Sequence, residues 1–227
     1  MTWRSSYAQV NLEATHLQGW HIKPRDLSES EQQHLISELY PVAKSAFQQE
    51  DSSGFYQDVT THVMQNSDLL VLTDGSRVIA FRLWNILSIP GKTIVYLAGM
   101  CVHQDYQGRG IGKAMLHYVV NHIPTWDYMA LRTQNPVMVL CLKGVTTHGT
   151  LFQYGDTSIP EDVQIVVKII AQTIGDDHVI PSELVSRRIY GSSLYGAAYK
   201  ISEKSAGTSF ADLDQDAGDA AYCVWRK

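Results

Sequence analysis

Between Val102 and Leu116 the chain reads Val-His-Gln-Asp-Tyr-Gln-Gly-Arg-Gly-Ile-Gly-Lys-Ala-Met-Leu, and no other stretch limits its fold as much. The residues before it are apolar and those after it are amphipathic, so a strand passes through a glycine-rich turn straight into a helix. Gly108, Gly110 and Gly112 remove the Cβ atoms that would keep a ligand off the backbone. The opening turn of the helix adds unpaired N–H groups and a positive dipole end. Arg109 and Lys113 bring positive charge to the same place, and the combination suits a diphosphate.

Spacing separates three kinds of phosphate loop. A Walker loop needs Gly where this chain has Gln107, and Ser or Thr where it has Ala114. A dinucleotide fingerprint fails because its third glycine falls on Lys113 or on Met115, and no strand-turn-helix unit opens the chain. What remains is Gln-x-x-Gly-x-Gly, carried by Gln107, Gly110 and Gly112 and preceded by Cys101-Val102-His103-Gln-Asp-Tyr. This pattern resembles the acyl-CoA pyrophosphate loop of the GNAT superfamily of N-acetyltransferases. A plain structural turn is the alternative, although three alternating glycines and two cations exceed what such a turn needs.

The order of elements can be set beside that family. Trp20 to Arg25 reads as a first strand, and Ser28-Glu-Ser-Glu31 is a capping box that starts a helix near Glu29. Leu35, Leu39, Val42, Ala43 and Ala46 keep one helical face, with Pro41 expected to break or kink it. A short helix is predicted over Tyr56 to Met64. Three β-rich runs follow, Leu69–Thr73, Arg77–Trp84 and Thr93–Val102, separated by Asp74-Gly75 and Pro90-Gly91, which predicts an antiparallel meander. Ile111, Ala114, Met115, Tyr118 and Val119 form the next helical stripe. Asp127–Thr133 then reads as a strand parallel to the apolar one, because a helix crosses between them. The expected fold is α/β (α+β), a GNAT-like mixed, mostly antiparallel sheet with a splayed parallel strand pair, flanked by helices. The V-shaped slot is implied by the resemblance; the residues themselves contribute only Gly99, a weak sign of a bulge.

Asn135-Pro136 fits a helix start, and a short helix over Val137–Lys143 should end at Gly144. Further on, Ser158-Ile-Pro-Glu161 looks like a second capping box, and Val163, Val166, Ile169, Ile170 and Thr173 predict a helix closed by Gly175. Pro181 to Arg188 suggests one more short helix, so residues 156 to 210 look like an insertion, of a kind that covers pockets. Tyr190-Gly191 and Tyr195-Gly196 mark turns within it. Asp212–Gly218 faintly resembles a calcium loop but lacks Gly at the sixth position and has Cys223 at the twelfth, so it reads as a solvated acidic turn. Asp219 to Arg226 closes the sheet. The whole is expected to be a single domain over 1–227.

The 227 residues, 44% of them hydrophobic, are enough for one sizeable core. A net charge of -5 argues against a nucleic-acid surface, and no apolar stretch has the length of a membrane span. The start lacks a secretory apolar core, so a cytoplasmic location is expected. Cys101, Cys141 and Cys223 are odd in number and widely spaced, which suits free thiols.

The resemblance implies an acyl-CoA, most simply acetyl-CoA, as co-substrate and a primary amine on a small molecule or peptide as acceptor, with no metal, in a monomer or homodimer. It places CoA on Met100, Cys101, Val102, Gln107, Gly108, Arg109, Gly110, Ile111, Gly112, Lys113 and Asn135, with the N–H of Val102 or Cys101 polarising the thioester carbonyl. The family often has a Glu base six residues before Val102, where this chain has Tyr96, and a Tyr acid on the helix after Asn135, where the nearest transferable proton is on Cys141. Tyr96 with an ordered water, and Cys141, are therefore the candidates for proton transfer, each with packing as its plainer role. His103 and His148 stand outside any recognisable constellation. Loss of the usual Glu and Tyr also leaves open an acyl-CoA-binding sensor or scaffold without catalysis.

Overall fold

The computed structural model describes residues 3–12, 16–145, 148–196, 210 and 212–227. Two compact units emerge, one from the segments up to Asn85 and Ala98–His122 with a short piece from Tyr195, the other from Ile86–Leu97, Ile123–Leu194 and the C-terminal strand. The fold is mixed α/β, with mostly antiparallel strand pairs, one parallel pair and flanking helices.

In the first unit β1 (Gln9–Asn11), β2 (Gln18–Ile22), β3 (Asp68–Asp74) and the part of β4 (Arg77–Ile89) up to Asn85 pair antiparallel in that order. The residue period of two sends Trp20, Ile22, Leu69, Val71, Phe81 and Leu83 to one face, where they bury against α1 (Glu29–Phe47) and α2 (Ser53–Gln65). The predicted strand ends three residues early, at Ile22, since Pro24 has no N–H for a ladder. β1 was not foreseen.

Glu31 accepts from Ser28 N at 3.1 Å and from Ser28 Oγ at 2.6 Å, so the first capping box forms. The expected break at Pro41 does not occur, and α1 continues to Phe47. Buried Leu35, Ile36, Leu39, Val42 and Ala43 hold both halves of the helix on one core, while Pro41 is exposed, where the carbonyl deprived of its donor can be solvated.

β5 (Lys92–Val102) follows β4 through a two-residue turn with Gly91 at φ 74°, and it runs from the second unit into the first. After it comes α3 (Ile111–His122), packed through Ile111, Met115, Leu116 and Val119. In the second unit β5 pairs parallel with β6 (Tyr128–Thr133), from Ile94 opposite Tyr128 to Leu97 opposite Leu131, while β5 itself runs on to Val102. α4 (Val137–Lys143), β7 (Thr150–Gln153), α5 (Glu161–Ile174), β8 (Val179–Ile180), β9 (Val185–Ser186) and β10 (Ala220–Arg226) complete it, with β10 antiparallel to β6, β7 and β9.

Two local expectations fail here. No capping box forms at Ser158; α5 starts behind Pro160, and Gln164 donates instead to the Ile159 carbonyl. The helix expected over Pro181–Arg188 is a turn followed by β9, because Tyr222 N donates to the Leu184 carbonyl at 2.7 Å and Val185 pairs with Ala221. Pairing with a distant strand outweighs local helix propensity, and Leu184 and Arg188 accept a φ of 54° for it.

Candidate active site

The glycine loop of the first unit is built for open backbone. Gly108 and Gly110 have φ of 75° and 78°, and a Cβ on either would meet nothing within 4 Å. Left-handed backbone explains these two glycines. Gly112 has a different reason, since its Cβ would lie 2.8 Å from Met100 Cε. The first helical bond of α3 runs from Ala114 N to the Gly110 carbonyl, so the N–H groups just before Ala114 belong to the opening turn and point out of the helix.

Several ties make the loop rigid. Gln107 Nε2 donates to the Val102 carbonyl at 2.9 Å, Tyr106 OH donates to Asp74 at 2.9 Å, and Arg109 lies over the Tyr106 ring at 5.0 Å. His103 contacts Arg77 through Nε2 at 2.8 Å, and its pKa is lowered by burial and by that guanidinium against the opposing pull of Asp105. Gln107 and His103 thus hold the loop. The far end of α3 is anchored as well: Tyr118 OH contacts His21 Nδ1 at 3.3 Å, His21 Nε2 contacts Asp68 at 2.8 Å, and His122 stacks on Tyr118.

On β5, Cys101 and Ala98 both pack against the α1 and α2 core. Residues three apart cannot share a face of a regular strand, so the alternation is broken near Gly99. Met100 turns the other way, its Sδ accepting from Arg82 Nη1 at 3.2 Å. Burial changes along the strand too, from buried Ile94–Leu97 to half-buried Ala98, Gly99 and Met100. Burial pushes the Cys101 thiol up, so it stays protonated and inert. At Gly99 an added Cβ would come within 2.9 Å of His62 Nε2, from α2. No motif in the local sequence marks His62. Its only signal was Gly99, whose missing side chain leaves room for the imidazole.

In the second unit Tyr96 is 3% exposed, and burial raises its phenol well above its ordinary pKa despite the opposing field of Arg132. It holds its proton at neutral pH, so a role as base does not suit it. Arg132, on the same face of β6, donates to Asp176 at 2.7 Å and to Tyr190 OH at 3.2 Å. Burial alone would raise the Asp176 carboxyl, but hydrogen bonds from Ser186, Tyr222 and Arg132 hold it below the usual carboxylate range. Asn135 Oδ1 accepts from Val137 N at 3.0 Å, the capping role expected of it. Cys141 is half-buried on α4, rather than fully packed away. His148 contributes its carbonyl to Trp225 Nε1. Among the described residues no three His, Cys, Asp or Glu gather as a metal would need, and no helix is long and apolar enough to cross a membrane.

Residues 65–141 match the family model described as an acetyltransferase (GNAT) domain. No curated protein matches the chain by sequence. Solved structures with a similar fold include a ribosomal-protein-alanine N-acetyltransferase from Brucella melitensis biovar Abortus, with 16% identity over 63% of this chain and 98% of that one and a TM-score of 0.43. Another is a protein from Pyrococcus horikoshii, with 15% identity over 62% of this chain and 93% of that one and a TM-score of 0.45.

Proposed function

The chain carries an acetyltransferase domain of the GNAT superfamily, and from that premise we propose that it is an acyl-CoA-dependent N-acyltransferase, most simply an acetyltransferase, acting on a primary amine of a small molecule or peptide. The observation that carries this reading is the cradle at Gly108–Lys113: two left-handed glycines facing open space, a helix N-terminus, and Arg109 and Lys113. These groups would hold the CoA diphosphate through backbone N–H donors, with the two cations adding less because they are solvated. The thiol arm would lie along Ala98–Val102, half-buried except at buried Cys101, where the N–H of Cys101 or Val102 polarises the thioester carbonyl. Asn135 and Cys141 are assigned by the family resemblance, Asn135 to an amide of the arm and Cys141 to protonation of the departing sulfur.

When bound, the acyl-CoA supplies an activated acyl group, so the protein must align it with the amine and manage protons. A discontinuous thiol-release assay with acetyl-CoA and a panel of primary amines and short peptides tests the reading, paired with a thermal-shift measurement with CoA. Turnover together with a rise in Tm supports it. A rise in Tm without turnover on any acceptor moves the protein to a CoA-binding sensor, and no rise at millimolar CoA removes the cradle altogether.

A further inference from the structure

We propose that His62 is the base that takes the proton from the acceptor amine. This rests on the acyltransferase reading above. His62 lies on the last turns of α2 and is exposed, with its Nε2 2.9 Å from where a Gly99 Cβ would stand. Gly99 belongs to the half-buried, irregular part of β5, two residues before Cys101 and three before Val102, one of whose N–H groups is proposed to polarise the thioester carbonyl.

A buried chain of amides fixes the turn that carries it. Asn66 Nδ2 donates to the His62 carbonyl at 2.6 Å, and Asn85 Nδ2 donates to Asn66 Oδ1 at 2.6 Å. Asn85 Oδ1 in turn accepts from Ser67 N at 2.7 Å and Ser67 Oγ at 2.8 Å. Asn66 and Asn85 are buried, so the end of α2 is locked to β4 beside Gly99. The backbone that carries the exposed imidazole is thereby fixed, and positioning of that kind favours a base. Among the described residues, the charged and titratable groups around α2 include Asp58, one turn before His62; Tyr56 on the same helix; Glu29 of α1, which lines a cavity with Tyr56, Thr60 and Met64; Arg25, which donates to the carbonyls of Met64 and Gln65; Asp51, held by Tyr40 and Lys44 before the helix starts; and the Cys101 thiol on β5.

Neutral His62 takes one proton from R–NH3+, leaving R–NH2 and an imidazolium. The amine lone pair forms the C–N bond to the thioester carbon while the carbonyl π pair moves to oxygen. Collapse of the adduct breaks the C–S bond, the electron pair leaves on sulfur, and the second amine proton ends on that sulfur as CoA–SH. The imidazolium returns its proton to solvent.

The test compares wild type with His62→Gln and Gly99→Ala, reading kcat and KM for acetyl-CoA across pH together with the CoA thermal shift. In wild type, kcat rises with pH through the range in which imidazole titrates. His62→Gln lowers kcat by about 10²-fold or more, erases that rising limb, and leaves the CoA shift and Tm unchanged. Gly99→Ala, whose methyl displaces the ring, lowers kcat in the same sense. An active wild type with His62→Gln within about threefold of it, or with the same pH profile, overturns the role of His62 and leaves the acyltransferase reading standing. A wild type that binds CoA but acylates nothing overturns both.

Discussion

Gly110→Ala separates the cradle from ordinary backbone strain. Gly110 sits at φ 78°, where an L side chain costs about 1–2 kcal/mol, although the new methyl meets no atom within 4 Å. For a chain of this size each kcal/mol moves Tm by roughly 2–4 °C, so the variant should melt about 2–8 °C lower without ligand. Gly75 in the β3–β4 turn provides the control, because it has φ 58° and is equally unobstructed but belongs to a hairpin. Gly75→Ala should lose similar stability. The two variants diverge with ligand. CoA at 100 times its Kd stabilises a native state by about 2.7 kcal/mol, which is roughly 5–11 °C here. Gly75→Ala keeps that increment, whereas Gly110→Ala loses at least half of it, since its methyl enters the space proposed for the diphosphate. Differential scanning fluorimetry over a CoA titration measures both quantities. Equal CoA increments in the two variants would falsify the placement of the diphosphate on this loop.

Asp176→Asn removes one partner of a buried ion pair and should cost about 3–5 kcal/mol in urea unfolding. The Asp176 carboxyl is held low in the folded state, so its contribution is present above the unfolded carboxylate pKa of about 3.9 and lost as pH falls through the folded value; the variant should flatten part of the stability loss below pH ~4. Tyr96→Phe should change kcat by less than about threefold, because a phenol that keeps its proton has no transfer to lose. Cys141→Ala should lower kcat while sparing the CoA shift if its thiol feeds the leaving sulfur, and unchanged kcat would return Cys141 to packing. Asn85→Ala leaves the buried Asn66 amide unsatisfied and should lower kcat with little change in acetyl-CoA KM, and rescue by Asn85→Gln is not expected because the longer side chain misplaces the bond.

The residues that announced themselves in the sequence were those whose constraint is local. The turn with Gly108 and Gly110 at a strand-to-helix junction, the Asp74-Gly75 hairpin, the Ser28 and Glu31 cap and the Gly175 stop each impose their backbone geometry within a few residues, and the backbone takes that geometry at each. Failures occurred where a distant partner decides. Pro41 stays helical because a core supplied by β2, β3 and β4 holds both halves of α1. Residues 185 and 186 become a strand because β10, more than thirty residues later, offers a ladder. Tyr96 read as a candidate base because its sequence position matched, but its chemistry is set by burial on β5, which the local residues do not encode. The same reasoning explains why His62 was invisible. No motif surrounds it; what gives it meaning is a glycine thirty-seven positions away and two buried asparagines that bind α2 to β4. The loop proposed to cradle the diphosphate is consecutive backbone and stands out in consecutive letters, whereas the proton acceptor proposed on a separate helix becomes legible only once that helix is seen to end at Asn66.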